Sequence, residues 1–321
     1  MTSVTTLSPP RSQPVAPAAS DADAPGWQLW TGLWIVYIVW GSTYLAIRVV
    51  VETVPPFLSA GARFSLAGAA MLAFLAWRRG RAALRPTRAQ LLSCLAVGTL
   101  LMGANAVVSV AEVDVPSSMA ALLIASVPLW VILYRRLLGD RVAAISVAAV
   151  LVGFAGVAIL LLPGKQTGGA PLLALLTVVA AAVMWAGGSV ASTRLTLPRD
   201  PFVSSAWQML LGGGVCALTG ALTGELGDFH PADFSARSLI GFAYLVVFGS
   251  WLAFAAYAWL LQNAPVSRVA TYAYVNPVVA IALGWAILGE AVTPATFAGA
   301  AVIVASVAAV VRTEARRSNS R

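Results

Sequence analysis

The polar side chains able to contact a solute are few, and several sit four residues apart, on one face of a helix. In APVSRVATYAYVNPVVAIALGWAILGE, residues 264–290, Arg268, Tyr272 and Asn276 form such a stripe, and Asn276 directly precedes Pro277. A second stripe joins Tyr37, Gly41, Tyr44 and Arg48, flanked by Trp40, Ser42 and Thr43. Amides and phenols exchange hydrogen bonds, and aromatic faces pack on planar or apolar groups. This is recognition chemistry rather than bond-making chemistry. The sole histidine, His230, falls in the polar loop GELGDFHPADF, while Cys94 and Cys216 fall within apolar stretches. No paired carboxylates, Cys–His arrangement, metal cluster or nucleotide-phosphate loop is indicated. The expectation is a protein that is not an enzyme, with no cofactor and no metal.

One cation stands apart. Arg63 lies about two turns inside an apolar stretch, where a charge is costly and takes a partner or a task. Two readings stay open: an ion pair with Glu52 or Glu112, or a contact for a substrate carboxylate. No Asp or Glu falls in the central third of any apolar stretch. A proton relay at mid-depth therefore has no obvious residue, and any ion coupling has to use rim acids such as Glu52, Glu112 or Asp114.

The elements that must position these residues follow from composition. Of 321 residues, 60% are hydrophobic and 10% charged, against about 25% charged in a typical soluble protein. Mean hydropathy is +0.85. Such a surplus of apolar side chains needs lipid as solvent, and a spanning helix takes about 20 apolar residues. Ten stretches qualify: 28–50, 56–77, 90–111, 116–137, 142–163, 171–193, 202–223, 238–260, 265–288 and 294–312. Residues 1–26, rich in Pro, Ser and Ala, read as a disordered cytoplasmic tail, and 313–321 as a basic one. The net charge of +8 is a topology signal, not a sign of nucleic acid. Arg78, Arg79, Arg81, Arg85, Arg88, Arg135, Arg136, Arg194, Arg199, Arg268 and the carboxy-terminal arginines all fall on one side of a ten-span chain. Glu52, Glu112, Asp114, Glu225, Asp228, Asp233 and Glu290 fall on the other. Basic loops stay cytoplasmic, which puts both termini inside.

The chain is written twice. VWGSTYLAIR (39–48) matches MWAGGSVASTR (184–194), PPFLSAGARFSLAG (55–68) matches DPFVSSAWQMLLGG (200–213), and VPSSMAALLIASVPLWVILYRRLLGD (115–140) matches the stretch at 264–290. Pro116 and Pro128 in one copy answer Pro265 and Pro277 in the other, and each copy closes on Gly-acid, Gly139-Asp140 and Gly289-Glu290. Two five-helix units result, 27–165 and 166–312. Five is odd, so the second unit enters the membrane from the opposite face, an arrangement recurrent in carriers. Pro128 and Pro277 each free the carbonyl four residues back, at Ile124 and Ala273, and are candidate hinges. Packing is the plainer reading of both. The helix-9 stripe has apolar counterparts, Leu123 for Tyr272 and Val127 for Asn276, and Arg63 has Gln208. Trp185, Ser189 and Gln208 therefore join Tyr37, Trp40, Ser42, Tyr44, Arg63, Tyr272 and Asn276 as candidate substrate-binding residues. Arg268 reads as a topology anchor.

An early Trp-Gly-Ser-like step, a Pro-Phe start to the second helix, ARF at 62–64, a proline in the fourth helix and a closing Gly-acid, in duplicate, resemble the EamA-type drug/metabolite transporter superfamily over roughly residues 30–312. The resemblance implies an all-α polytopic protein of ten transmembrane helices as two inverted repeats. It also implies secondary transport by alternating access in the cell (inner) membrane, with export of amino acids, related metabolites or drugs as the main activity. The expected partners are a small-molecule substrate and membrane lipid, with the chain a monomer or weak dimer. A channel would need a ring of like residues around a pore. A receptor or scaffold would leave the duplication without a use.

Overall fold

The computed structural model describes residues 26–162, 167–264, 266–269 and 271–319. Residues 1–25 of the amino-terminal tail, Lys165 and Pro265 lie outside them. The first repeat runs α1 (Gly26–Val50), α2 (Pro56–Arg79), α3 (Arg88–Ala111), a divided fourth span of α4 (Ser117–Ile124) and α5 (Val127–Leu137), then α6 (Ala144–Leu161). The second runs α7 (Leu172–Arg194) and α8 (Pro201–Leu222). Its next span is built from α9 (Ala236–Tyr244), a π-helical segment (Leu245–Leu252) and α10 (Ala253–Asn263). A divided ninth span of α11 (Val266–Val269) and α12 (Tyr272–Leu288) follows, then α13 (Pro294–Asn319). Among the described residues, nine helical segments are long and apolar enough to cross a membrane, and the tenth, Tyr272–Leu288, is a shorter apolar helix.

Local chemistry sets the starts. Proline opens α2, α8 and α13, at positions whose N–H would have no helical partner. Asp200 Oδ1 accepts from the Phe202 and Val203 amides at 2.8 and 3.2 Å, and Thr293 Oγ1 accepts from Thr296 N at 3.2 Å. The α2 start is capped from afar: Glu225 accepts from the Phe57 and Leu58 amides at 3.0 and 2.8 Å. At the chain's end, α13 continues through Asn319, beyond the apolar stretch that closes at residue 312. Its last turns, rich in Glu, Ala and Arg, are good helix formers in water as well as lipid.

The two repeats interdigitate. Helix α2 packs along α8 and α6 along α13, each against its own counterpart, while α3 lies on α7 and α8 and α1 on α10 and α12. Small residues permit these approaches, as is usual where lipid gives no hydrophobic drive between helices. A Cβ on Gly61 would stand 2.5 Å from Ala217 N, and one on Gly68 2.6 Å from Leu210 N. Large apolar side chains such as Trp77, Leu151, Leu173 and Leu222 face outward, where the solvent is lipid.

The proline-bearing spans break differently. The fourth divides at Ala125–Ser126, just ahead of Pro128. The ninth has a turn at Thr271, ahead of α12, and α12 runs as helix through Pro277. The Thr271 hydroxyl, which donates to the Arg268 carbonyl and bonds the Tyr37 hydroxyl, offers the backbone a competing partner there.

Candidate functional site

Both divided spans border one central cavity, with about 840 Å³ of empty space once its open mouth is included. Of the ten candidate residues, six line it: Trp40, Tyr44, Arg63, Trp185, Tyr272 and Asn276. Pro128 and Pro277 line it too, as do Ile124 and Ala273, whose carbonyls those prolines free. In each repeat the irregular backbone thus borders space rather than lipid.

The other four candidates are engaged elsewhere. Tyr37 is buried and bonded to the Thr271 hydroxyl. Ser42 Oγ donates to the Val39 carbonyl at 2.8 Å and lies 2.6 Å from the Tyr244 hydroxyl. Ser189 donates to the Trp185 carbonyl at 2.8 Å, and Gln208 Nε2 to Ser204 Oγ at 2.8 Å. Thr43, Asn105 and Phe254 also line the cavity. Asn105 left a readable trace, a lone amide in the middle of an apolar helix; Phe254 left none, since nothing separates it from the lipid-facing aromatics around it.

One wall is aromatic. The Trp40 ring meets Phe254 at 5.3 Å, Tyr257 at 5.1 Å and Tyr272 at 5.2 Å between centroids. Such edge and tilted contacts hold each ring by its neighbours and leave a rigid apolar face. Trp185, the repeat counterpart of Trp40, comes from α7. Asn276, in the amide orientation that satisfies its neighbours, donates to the Tyr37 and Tyr272 carbonyls at 3.2 Å each. It ties α12 to α1 as well as bordering the cavity.

The other feature is Arg63, 4% exposed. Its Nε donates to Ser250 Oγ at 2.8 Å, and its guanidinium carbon sits 4.6 Å from the Phe64 ring centroid. Ser250 belongs to the π-helical segment, a wider turn that often marks a functional position. The neighbouring Gly249 leaves room: a Cβ there would come within 3.2 Å of Arg63 Nη2. Of the two partners open to Arg63 in the sequence, Glu112 faces it but its carboxylate makes no hydrogen bond to it. Glu52 faces Arg237 at 3.8 Å, and among the described residues Arg63 forms no ion pair. Arg63 is a buried cation held by a neutral hydroxyl at the cavity wall.

The two ends of the cavity differ. At the acidic-loop end, Glu290 accepts from the Ser117 amide (2.7 Å), the Ser117 hydroxyl (2.8 Å) and the Ser118 amide (2.9 Å), capping α4 across the repeats. Gly289 (φ 65°) turns the chain to bring it there. Arg48 donates to the Glu112 and Val113 carbonyls, and every residue from Ser117 to Leu123 is buried. This end is sealed. At the basic-loop end, burial in α5 is confined to Leu129 and Ile132. Asp140, the counterpart of Glu290, bonds Arg194 at 2.8 Å and Arg135 at 3.3 Å. The Arg194 hydrogen bond holds its carboxyl below the usual carboxylate range. Arg268, the expected topology anchor, is exposed on the same side.

Known proteins resemble this chain over most of its length. An inner membrane transporter of Escherichia coli K12, YedA, itself uncharacterized, is 38% identical over 281 residues, covering 87% of this chain and 89% of YedA. The protein PagO of Salmonella typhimurium is 25% identical over 272 residues, covering 81% and 84%. A solved crystal structure, 24% identical, shares the fold with a TM-score of 0.60 over 92% of this chain and 99% of that one. The EamA-like transporter family matches residues 29–162 and 172–312, one match per repeat. Ten apolar spans in two repeats around a shared cavity, with those two matches, make this chain a member of the EamA-like transporter family.

Proposed function

We propose that this chain is a secondary carrier that exports small organic solutes, amino acids or related compounds and amphipathic drugs, by alternating access from a cytoplasm that holds both termini. The observation that carries the reading is the cavity itself. It is walled by both repeats, bordered by both proline-bearing spans, and sealed at one end only by side-chain bonds that can be undone. A channel would need a continuous path, and a receptor would have no use for two inverted units around one site. The wall pairs a rigid aromatic face with one buried cation and two amides, Asn105 and Asn276. That combination suits a solute with an apolar body and a carboxylate or other polar end. Export as the direction rests on the family resemblance.

The test is flux. Purified chain in liposomes should exchange labelled amino acids, or an amphipathic cationic or anionic drug, with saturable kinetics and at turnover rates far below those of a pore. Cells holding the protein should retain less of that solute than cells without it. Liposomes no more permeable than protein-free ones across the whole panel would overturn the carrier reading. Faster accumulation in cells would reverse the direction.

A further inference from the structure

Glu112 closes α3 at the acidic-loop end, one residue beyond the span Arg88–Ala111. It is 0% exposed, and neither carboxylate oxygen has a hydrogen-bond partner among the described residues. Even half-buried acids elsewhere in this protein are treated differently: Glu290 is satisfied by two amides and a hydroxyl, and Glu225 by two amides. Glu112 is also close to the cavity. One turn back along its face, Val108 lines that cavity, and Ser109 lines a smaller hollow that shares Ile47 and Arg63 with it.

The charged and titratable groups facing Glu112 are Arg48 and Tyr44 from α1, Arg63 from α2 and Glu290 from the end of α12. The hydrogen bonds of the two guanidiniums go to other atoms: Arg48 to the Glu112 and Val113 backbone carbonyls, Arg63 to Ser250. An ionised carboxylate enclosed in this way gives up its water and gains no hydrogen bond. Burial, and after it the charge of Glu290, pushes the Glu112 carboxyl well above the usual range, against the pull of Arg48 and Arg63.

We infer that Glu112 is a proton-binding site coupled to the seal: its carboxyl is protonated while the acidic-loop end is closed and gives the proton to water when that end opens. The exchange balances without another reactant, since one O–H bond breaks on opening, the proton passes to solvent, and the same bond re-forms on closing. The sign follows from linkage. The sealed conformation binds the proton more tightly, so acid favours sealing and rising pH favours opening. The tie to solute movement rests on the carrier reading; the proton site and its effect on the seal do not.

The experiment needs no solute. In the full chain with Cys94→Ala and Cys216→Ala, Ser118→Cys places a thiol behind the seal. Ser118 is 4% exposed and holds Glu290 through its backbone amide, not its side chain. Labelling by a membrane-impermeant maleimide is followed against pH. Rates are normalised to a cysteine at the exposed Asp228, which removes the thiol's own titration. The normalised rate should rise about tenfold per pH unit below the titration midpoint. Glu112→Gln should stay slow and flat, and Asp233→Asn, an exposed acid, should follow the parent. Infrared spectra of the parent should show a carboxylic-acid carbonyl band that bleaches with the same midpoint, and Glu112→Gln should lack it. A pH-independent parent, a Glu112→Gln variant that keeps the parent's pH profile, or no such band in the parent would each overturn the inference. Solute flux could be present or absent in any of these cases, so the two readings fail separately.

Discussion

At the residue scale, the proposed selectivity of the cavity rests on Arg63. A buried guanidinium bonded to one hydroxyl keeps donors free for an anionic group, and in a site sheltered from water such a bond is worth more than its surface equivalent. Arg63→Gln keeps a donor of similar reach and removes the charge. We expect solutes bearing a carboxylate to lose about tenfold or more in uptake at low concentration, about 1.4 kcal/mol, while neutral solutes keep theirs. An equal loss for every solute, with lowered thermal stability, would make Arg63 a packing residue tied to Ser250. At this scale much was legible from types alone, because a cation, an amide or a tryptophan inside an apolar helix stands out against its neighbours. Tyr37, Ser42, Ser189 and Gln208 stand out for the same reason and lie off the cavity lining. Their bonds run to Thr271, to Tyr244 or to the preceding turn, and no periodicity in one helix shows that a polar group is already satisfied by a residue two hundred positions away.

At the scale of elements, the two proline-bearing spans are related by sequence yet bend in different places. The fourth is already divided at Ala125–Ser126, where Ser126 Oγ donates to the Leu123 carbonyl at 2.6 Å. In the ninth, helix continues through Pro277 and the division sits about two turns earlier, at Thr271. The proline positions were plain in the sequence; the break at Thr271 depended on a hydroxyl finding Tyr37 on another helix. The unequal geometry sets an order of effects. Pro277→Ala lets residue 277 donate to the Ala273 carbonyl and stiffens a helix that is otherwise continuous, so transport should slow severalfold with folded protein unchanged or slightly more stable. Pro128→Ala should act in the same direction but more weakly, because the break beside it does not depend on the proline alone. Flux rates and unfolding temperatures in detergent check both. Wild-type rates in the two variants would leave the prolines as packing features.

For the whole molecule, topology turns on an odd number of spans. Five spans separate the loop holding Arg81 from the loop holding Asp228, namely α3, the α4–α5 pair, α6, α7 and α8. The two loops must therefore lie on opposite faces. Span count and charge were readable because apolar length and arginine position are properties of the chain alone. The interdigitation of the repeats was not, since it rests on close approaches such as Gly61 to Ala217 and Gly68 to Leu210 that no local pattern announces. Basic loops resist translocation, so the Arg81 side should be cytoplasmic and the Asp228 side external. Both residues are exposed, and cysteines placed there, with Cys94 and Cys216 replaced, report the outcome directly. In intact cells a membrane-impermeant reagent should label the cysteine at 228 and spare the one at 81 until the membrane is opened. Labelling at 81 alone would turn the protein over while keeping its inverted halves. Labelling of both, or of neither, from one face would mean an even number of crossings between them, and two units that cannot exchange roles about a central cavity.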